Sequence, residues 1–199
     1  MPITIGKKTE SDFTNPLGLL SDCHRRIEQF LEVLIKVVSQ ARGAALTADQ
    51  RTGLETALRY FREAAPKHTS DEEESLFPRM LASSDQRAQS AFLKLEELHA
   101  DHENADSAHS EVEALGSQWL AQGPLSIEST ERLRELLELL QSIYQRHIKI
   151  EDHEVFPLAG QILSSDQLLS VGQEMAARRL TKLGAVESNS RGSQGSGEQ

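Results

Sequence analysis

The chain has 199 residues, 38% hydrophobic and 26% charged, with a formal net charge of −10. That length suits one domain with a sizeable core, and an acidic balance with no Lys/Arg cluster to offset it argues against a nucleic-acid partner. Cys23 is the only cysteine, so no disulfide can form within the chain.

Residues 1–15 read as an irregular arm; Lys7 and Lys8 have no apolar run behind them, so no signal peptide is expected. A first helix spans about 16–41, with a stripe of His24, Ile27, Phe30, Leu31, Leu34 and Val38 and a stop at Gly43. Its most apolar stretch is broken by Glu32 and Lys36, so no membrane span is expected and a cytoplasmic protein is. A second helix starts at the N-cap Thr47 and runs to about 80, with an inward row of Leu54, Leu58, Phe61, Ala65, His68, Glu72 and Leu76. Pro66 should kink it just before the polar pair.

A third helix, about 84–122, carries Ala91, Leu95, Leu98, His102, Ala105, His109 and Val112 on one face and ends at Gly123-Pro124. The fourth, about 127–159, repeats the second in Leu133, Leu137, Leu140, Tyr144, His147, Glu151 and Val155. A shorter helix covers 164–183, and the Gly/Ser-rich segment 184–199 reads as a disordered polar tail. These elements predict an all-α domain over 16–183: an antiparallel up-down-up-down four-helix bundle with an additional short C-terminal helix.

Two segments 79 residues apart share one pattern, H-x-x-x-E-x-x-x-[LV]-F-P, at His68–Pro78 and His147–Pro157. His24 precedes His68 by 44 residues and His102 precedes His147 by 45, so the chain reads as two copies of a helical hairpin. Each copy offers one histidine on its first helix and a His-x-x-x-Glu pair on its second. Residues at i and i+4 are about 40° apart around a helix and roughly 6 Å apart along it, so both side chains reach one cluster. A lone pair of this kind is often only a solvated surface pair, and His24/Glu28 and His99/Glu103 also have that spacing. His68/Glu72 and His147/Glu151 differ because they lie on rows that are otherwise apolar.

Two buried carboxylates among four imidazoles would be untenable without compensating charge, and a pair of divalent cations supplies it. The predicted metal ligands are His24, His68, Glu72, His102, His147 and Glu151. His99, one turn before His102, is an additional candidate ligand. Tyr144 and His109 are expected to support the site from behind or beside the ligands, Tyr144 with a phenol able to donate to a bound ligand. Asp152 is a competitor to Glu151, His153 is expected at the surface, and Glu73 and Glu74 are read as a solvated face. Cys23 is expected to be buried and inert. A nitrogen/oxygen donor set without thiolate suits iron or manganese better than structural zinc, calcium or magnesium.

These motifs, with Asp22–Glu28, His99–Glu103 and Glu174–Arg179, resemble the hemerythrin-like family of HHE cation-binding domains over about 17–183. The resemblance implies two non-haem iron ions with an oxo or hydroxo bridge, ahead of manganese or zinc, with Glu72 and Glu151 as bridging ligands. It also implies a small diatomic partner, O2 or NO, and a binding, redox or iron-responsive role rather than catalysis. The oxygen carriers of that family use five histidines and a His-x-x-x-His pair on the third helix. Here the spacing is His99-x-x-His102, which resembles the four-histidine, two-glutamate subgroup linked to nitric oxide handling and iron–sulfur repair. An enzyme reducing NO or peroxide or delivering iron for cluster repair, and a metal-free helical interaction bundle, are the alternative expectations.

Overall fold

The computed structural model describes residues 11–190, with side chains described for all of these but 90 and 181–190. Helices account for nearly all of them, and there is no strand among the described residues. Helix α1 (Pro16–Ala41) begins where Asn15 accepts the Gly18 N–H and Pro16 takes the first-turn position that needs no donor. Helix α2 (Ala48–Glu63) opens with a reciprocal capping box between Thr47 and Gln50.

Where a kink is expected at Pro66, the regular helix is interrupted at the single residue Ala64, which keeps right-handed helical dihedrals (φ −106°, ψ −42°). Helix α2 stops at Glu63, and α3 (Ala65–Ser70) restarts with Pro66 in its first turn. Proline has no N–H to give and its ring crowds the carbonyl four residues back. Helix α3 then passes into a π-helical turn, Asp71–Leu76, and on to α4 (Phe77–Leu81). The fourth expected helix behaves likewise: α6 (Ile127–Ile150) widens into a π-helical turn, Glu151–Val155, before α7 (Phe156–Ile162).

Neither π turn was foreseen in the sequence, and both have one physical origin. The Phe77 N–H reaches back five residues to the Glu72 carbonyl, and the Phe156 N–H does the same to Glu151. Pro78 and Pro157 follow at once, where the α-ladder must already lose a bond, so an extra residue in the turn is tolerated there. In the first copy, Arg79 Nη1 donates to the Ser75 carbonyl at 2.7 Å.

Helix α5 (Gln86–Gln122) is capped by Asp85 and ends at Gly123, whose φ of 88° is open to glycine. Helix α8 (Ser165–Ser190) runs past the boundary expected at 183; the rest of the expected tail, 191–199, and residues 1–10 of the expected arm lie outside the described residues.

Helix α1 packs on α2 and α6, and α5 packs on α6 and α2, so the four long stretches enclose a common interior. That interior holds two apolar cores. One gathers Ile27, Leu34, Leu54, Leu58, Trp119 and Leu137 with their neighbours. The other gathers Leu20, Leu76, Met80, Leu98, Phe156 and Met175, with α8 closing it. Each fully buried Leu or Met side chain contributes about 1.5–3 kcal/mol. Trp119 is buried and donates its indole N–H to the Ala44 carbonyl at 2.9 Å.

Helix α8 is clasped to the first π turn. Asp71, fully buried, is held by Arg178 Nη1 at 3.0 Å and Arg179 Nη2 at 2.7 Å, while Glu174 takes the Ser75 hydroxyl at 2.5 Å. No helix among the described residues is long and apolar enough to cross a membrane.

The loop after α1 sets its path through Gly43, at φ 76°, whose carbonyl accepts the Leu125 N–H at 2.9 Å. A Cβ there would stand 2.1 Å from Thr130 Oγ1. Gly43→Ala is therefore expected to lower stability by roughly 1–3 kcal/mol, as read by urea denaturation; a change below about 0.5 kcal/mol would refute this account of the turn.

Candidate metal centre

The six side chains expected as ligands converge where the two apolar cores meet. Along each contributing stretch the chain passes from one core to the other, and at that level carries the polar group: His24 after Leu20, Glu72 before Leu76, His102 after Leu98, Glu151 before Val155. All six are buried, and Glu72 and Glu151 have no exposed surface at all.

The donor atoms fall into two overlapping groups. His24, His68, Glu72 and Glu151 form one, and Glu72, His102, His147 and Glu151 the other; within each, one atom per residue lies within 4.8 Å of every other. His68 Nε2 stands 3.3 Å from Glu72 Oε1, and His102 Nε2 stands 3.4 Å from Glu72 Oε2. His24 Nε2 and His147 Nε2 each lie 3.0 Å from Glu151 Oε2. Both carboxylates thus belong to both groups, and one oxygen of Glu72 faces each half.

These approaches do not satisfy the atoms. Both oxygens of Glu72, both of Glu151 and Nε2 of His24 have no hydrogen-bond partner among the described residues. Buried polar atoms are normally paired, and each that is not costs about 1–3 kcal/mol. Lone pairs turned toward a common centre from four separate chain stretches are the geometry of a cation site.

The charge balance of the bare protein points the same way. Burial works against a charged His24, but Asp152, Glu151 and Glu72 hold its pKa well above the ordinary imidazole value. Burial likewise opposes charge on His102, yet Glu72, Glu151 and Glu73 push it up to about 9. His68 is pushed down to about 4 by burial. Burial would raise Glu72, but His68, His102 and His24 hold it well below its usual range. Glu151 is also lowered, His147 and His24 outweighing burial and the nearby Glu72 carboxylate.

Behind the imidazoles stands a set of carboxylates whose roles were not legible in the sequence. Asp152 Oδ1 accepts from Ser21 Oγ at 2.7 Å and lies 3.0 Å from His24 Nδ1, so it is a support for that ring rather than a competitor of Glu151. Glu73 Oε1 is 2.8 Å from His102 Nδ1 and 2.7 Å from His99 Nδ1. The solvated-face reading therefore fails for Glu73, while Glu74 is exposed as expected. Asp101, buried and ion-paired with Arg146, faces His147 Nδ1 more loosely at 3.5 Å.

A signal for these residues did exist. Each is the immediate sequence neighbour of a cluster residue, turned about 100° around the helix and so toward the next chain stretch.

The structure separates the remaining candidates. His99 stands outside both groups, with 58% of its side chain exposed and Glu73 as its partner. His153 is exposed and Cys23 is buried, the latter with its thiol pKa raised by burial. His109 Nε2 lies 2.8 Å from the Tyr144 hydroxyl, and its ring stacks on Phe61 at 4.3 Å. Both line a small cavity of about 30 Å³ together with His24, His68, His102 and His147. That volume accepts a molecule of a few atoms.

The model of the hemerythrin HHE cation-binding domain family matches residues 15–159, the span that carries all six buried donors. The chain belongs to that family. Over 171 residues this hemerythrin-like chain is also 29% identical to an uncharacterized protein of Haemophilus influenzae, a match covering 85% of this chain and 93% of the relative. Membership of a cation-binding family and the buried His/Glu cluster together point to metal binding.

His109 offers a pH test separate from the cluster. Burial lowers its pKa to about 4, below the unfolded value of about 6.5. The unfolded chain then binds more protons between those limits, so this residue's contribution to stability is full above about pH 6.5 and falls as pH drops toward 4. Comparing wild type with His109→Gln at matched metal content, urea denaturation across this window should show wild type losing up to roughly 3 kcal/mol more. Parallel pH profiles would refute the neutral, buried His109.

Proposed function

We propose that this protein is a non-haem di-iron protein of the cytoplasm that binds O2 or NO and serves as a redox or iron-responsive module. The single observation that carries the reading is the sharing of Glu72 and Glu151 between two donor groups that each add two imidazoles. Two cations, each facing two histidines and both glutamates, would satisfy the carboxylate oxygens that otherwise lack partners. A donor set of imidazole and carboxylate without thiolate suits iron. Antiparallel up-down-up-down order is our reading of the contacts among α1, α2, α5 and α6.

The six donors divide their work by position. His24 and His68 would hold one ion, His102 and His147 the other, and Glu72 and Glu151 would bridge. Iron held there would supply reversible one-electron change and the capacity to bind a diatomic ligand. The chain supplies the rest. Phe61, Ala65, Ala105 and Ile148 wall the adjoining cavity and limit water, which raises the strength of every polar contact inside. Asp152 and Glu73 fix the rings of His24 and His102 through their Nδ1 atoms.

Anaerobic loading with ferrous iron is expected to give about two metals per chain by elemental analysis, and Glu72→Ala to abolish retention of the pair. Full loading in that variant would sink the proposal. Because a ligand that binds only the native state must stabilise it, metal removal should also lower the melting temperature of the wild type. A third measurement addresses the carboxylates behind the rings: Asp152→Ala should weaken iron affinity about 10–100-fold, in line with the loss of such supporting groups elsewhere, and unchanged affinity would show that Asp152 does not orient His24.

A further inference from the structure

The cavity beside the cluster is bounded by all four imidazoles, His24, His68, His102 and His147, and by neither Glu72 nor Glu151. It therefore adjoins the cluster on its imidazole side, against the apolar core that holds Ile27, Phe61 and Ala105. Beyond the imidazoles, four polar side chains line it: Thr69, Asp106, His109 and Tyr144. Asp106 is exposed and, when ionised, offers only acceptors. Thr69 and the Tyr144–His109 pair are left as sources of a hydrogen bond to an occupant.

The pair has a preferred direction. His109 Nε2 lies 2.8 Å from the Tyr144 hydroxyl, while its Nδ1 is buried with no hydrogen-bond partner among the described residues. Burial favours the neutral ring, so the imidazole carries one proton, on one nitrogen or the other. Either way the pair has one donor to spare. With the proton on Nδ1, the spare donor is a buried N–H that nothing reaches, which folded proteins rarely tolerate. With the proton on Nε2, His109 donates to the phenol oxygen, and the spare donor is the Tyr144 O–H, on a residue that lines the cavity. The second form is favoured because a molecule in the cavity can accept from it. Burial also raises the pKa of Tyr144, so the phenol keeps its proton.

We propose that Tyr144, positioned by His109, is the residue that hydrogen-bonds a diatomic ligand in this cavity, and that the ligand therefore meets the centre on its imidazole side. This rests on the di-iron reading of the same cluster and deepens it by naming the group that recognises the ligand. A diatomic molecule held by reduced iron draws negative charge toward its outer atom. A donor already fixed in place stabilises that charge without having to reorient. In haem pockets too, donors beside the open position govern how O2 is held.

The test loads the full chain anaerobically with ferrous iron and measures affinity and dissociation rate for O2 and for NO. Tyr144→Phe deletes only the hydroxyl and should weaken binding about 10–100-fold, through faster dissociation, as expected for a hydrogen bond to a charged partner. His109→Leu should weaken binding less, since the hydroxyl remains but is no longer held. His109→Gln, whose amide N–H can donate to the phenol, should recover most of that loss. A second readout needs no metal: nitrogen-15 NMR of the metal-free chain should show His109 protonated on Nε2. Protonation on Nδ1, unchanged gas binding in Tyr144→Phe, or an equal loss in Thr69→Val would overturn the inference. So would a chain that takes up two irons and binds neither gas. A chain that takes up no iron would instead overturn the di-iron reading itself, so iron uptake tells the two failures apart.

Discussion

Two carboxylates with no exposed surface sit between two apolar cores, and the arrangement of this molecule follows from having to accommodate them. Glu72 and Glu151 bring negative charge into a layer where water cannot solvate it. In the bare chain the nearby imidazoles offset that charge in part, His24 and His102 being held toward the protonated form. Even so, the carboxylate oxygens find no aligned donor. A layer of this kind weakens the bundle unless something of opposite charge fills it, because buried ions are costly unless well paired. The apolar cores on either side provide the stability that allows such a layer to persist.

The backbone around the glutamates is adapted to the same end. Both carbonyls that accept the five-residue π bonds belong to Glu72 and Glu151 themselves. Widened turns of this sort occur often at functional sites, and here they stand directly before a proline that interrupts the ladder in any case. Helix α8 secures the first of them through Asp71 and Ser75, the residues flanking Glu72 on the buried side. The second lacks that clasp and is tied instead by Asp152 to Ser21 and His24 of α1. The copies are thus alike in the His and Glu residues they bring to the cluster and unlike in what braces them.

Much of this was legible in the chain itself. Apolar positions stepping by three and four marked the helical stretches, and of the polar residues that interrupted those rows, six converge while His109 pairs with Tyr144 beside them. Pro66 announced the interruption of the second helix, which falls at Ala64. Glu73, Asp101 and Asp152 were harder to read because each lies about one residue off the inward row, where the helical period predicts a flank and not an interior. His99 showed the reverse: its spacing from His102 suggested a further ligand, but three residues along a helix leave it about 60° around, and it meets Glu73 near solvent.

The sequence by itself determined the all-helical class and the doubled hairpin, and marked the six polar residues on the inward rows, because those depend on the period of a single helix and on the repeat. Only the tertiary structure decided which carboxylate stands behind which imidazole, and that both glutamates belong to both donor groups. Those facts depend on how each helix is rotated and shifted against its neighbour. That rotation is set by packing across the two cores and by the π turns, and neither is written in the periodicity of one strand of sequence.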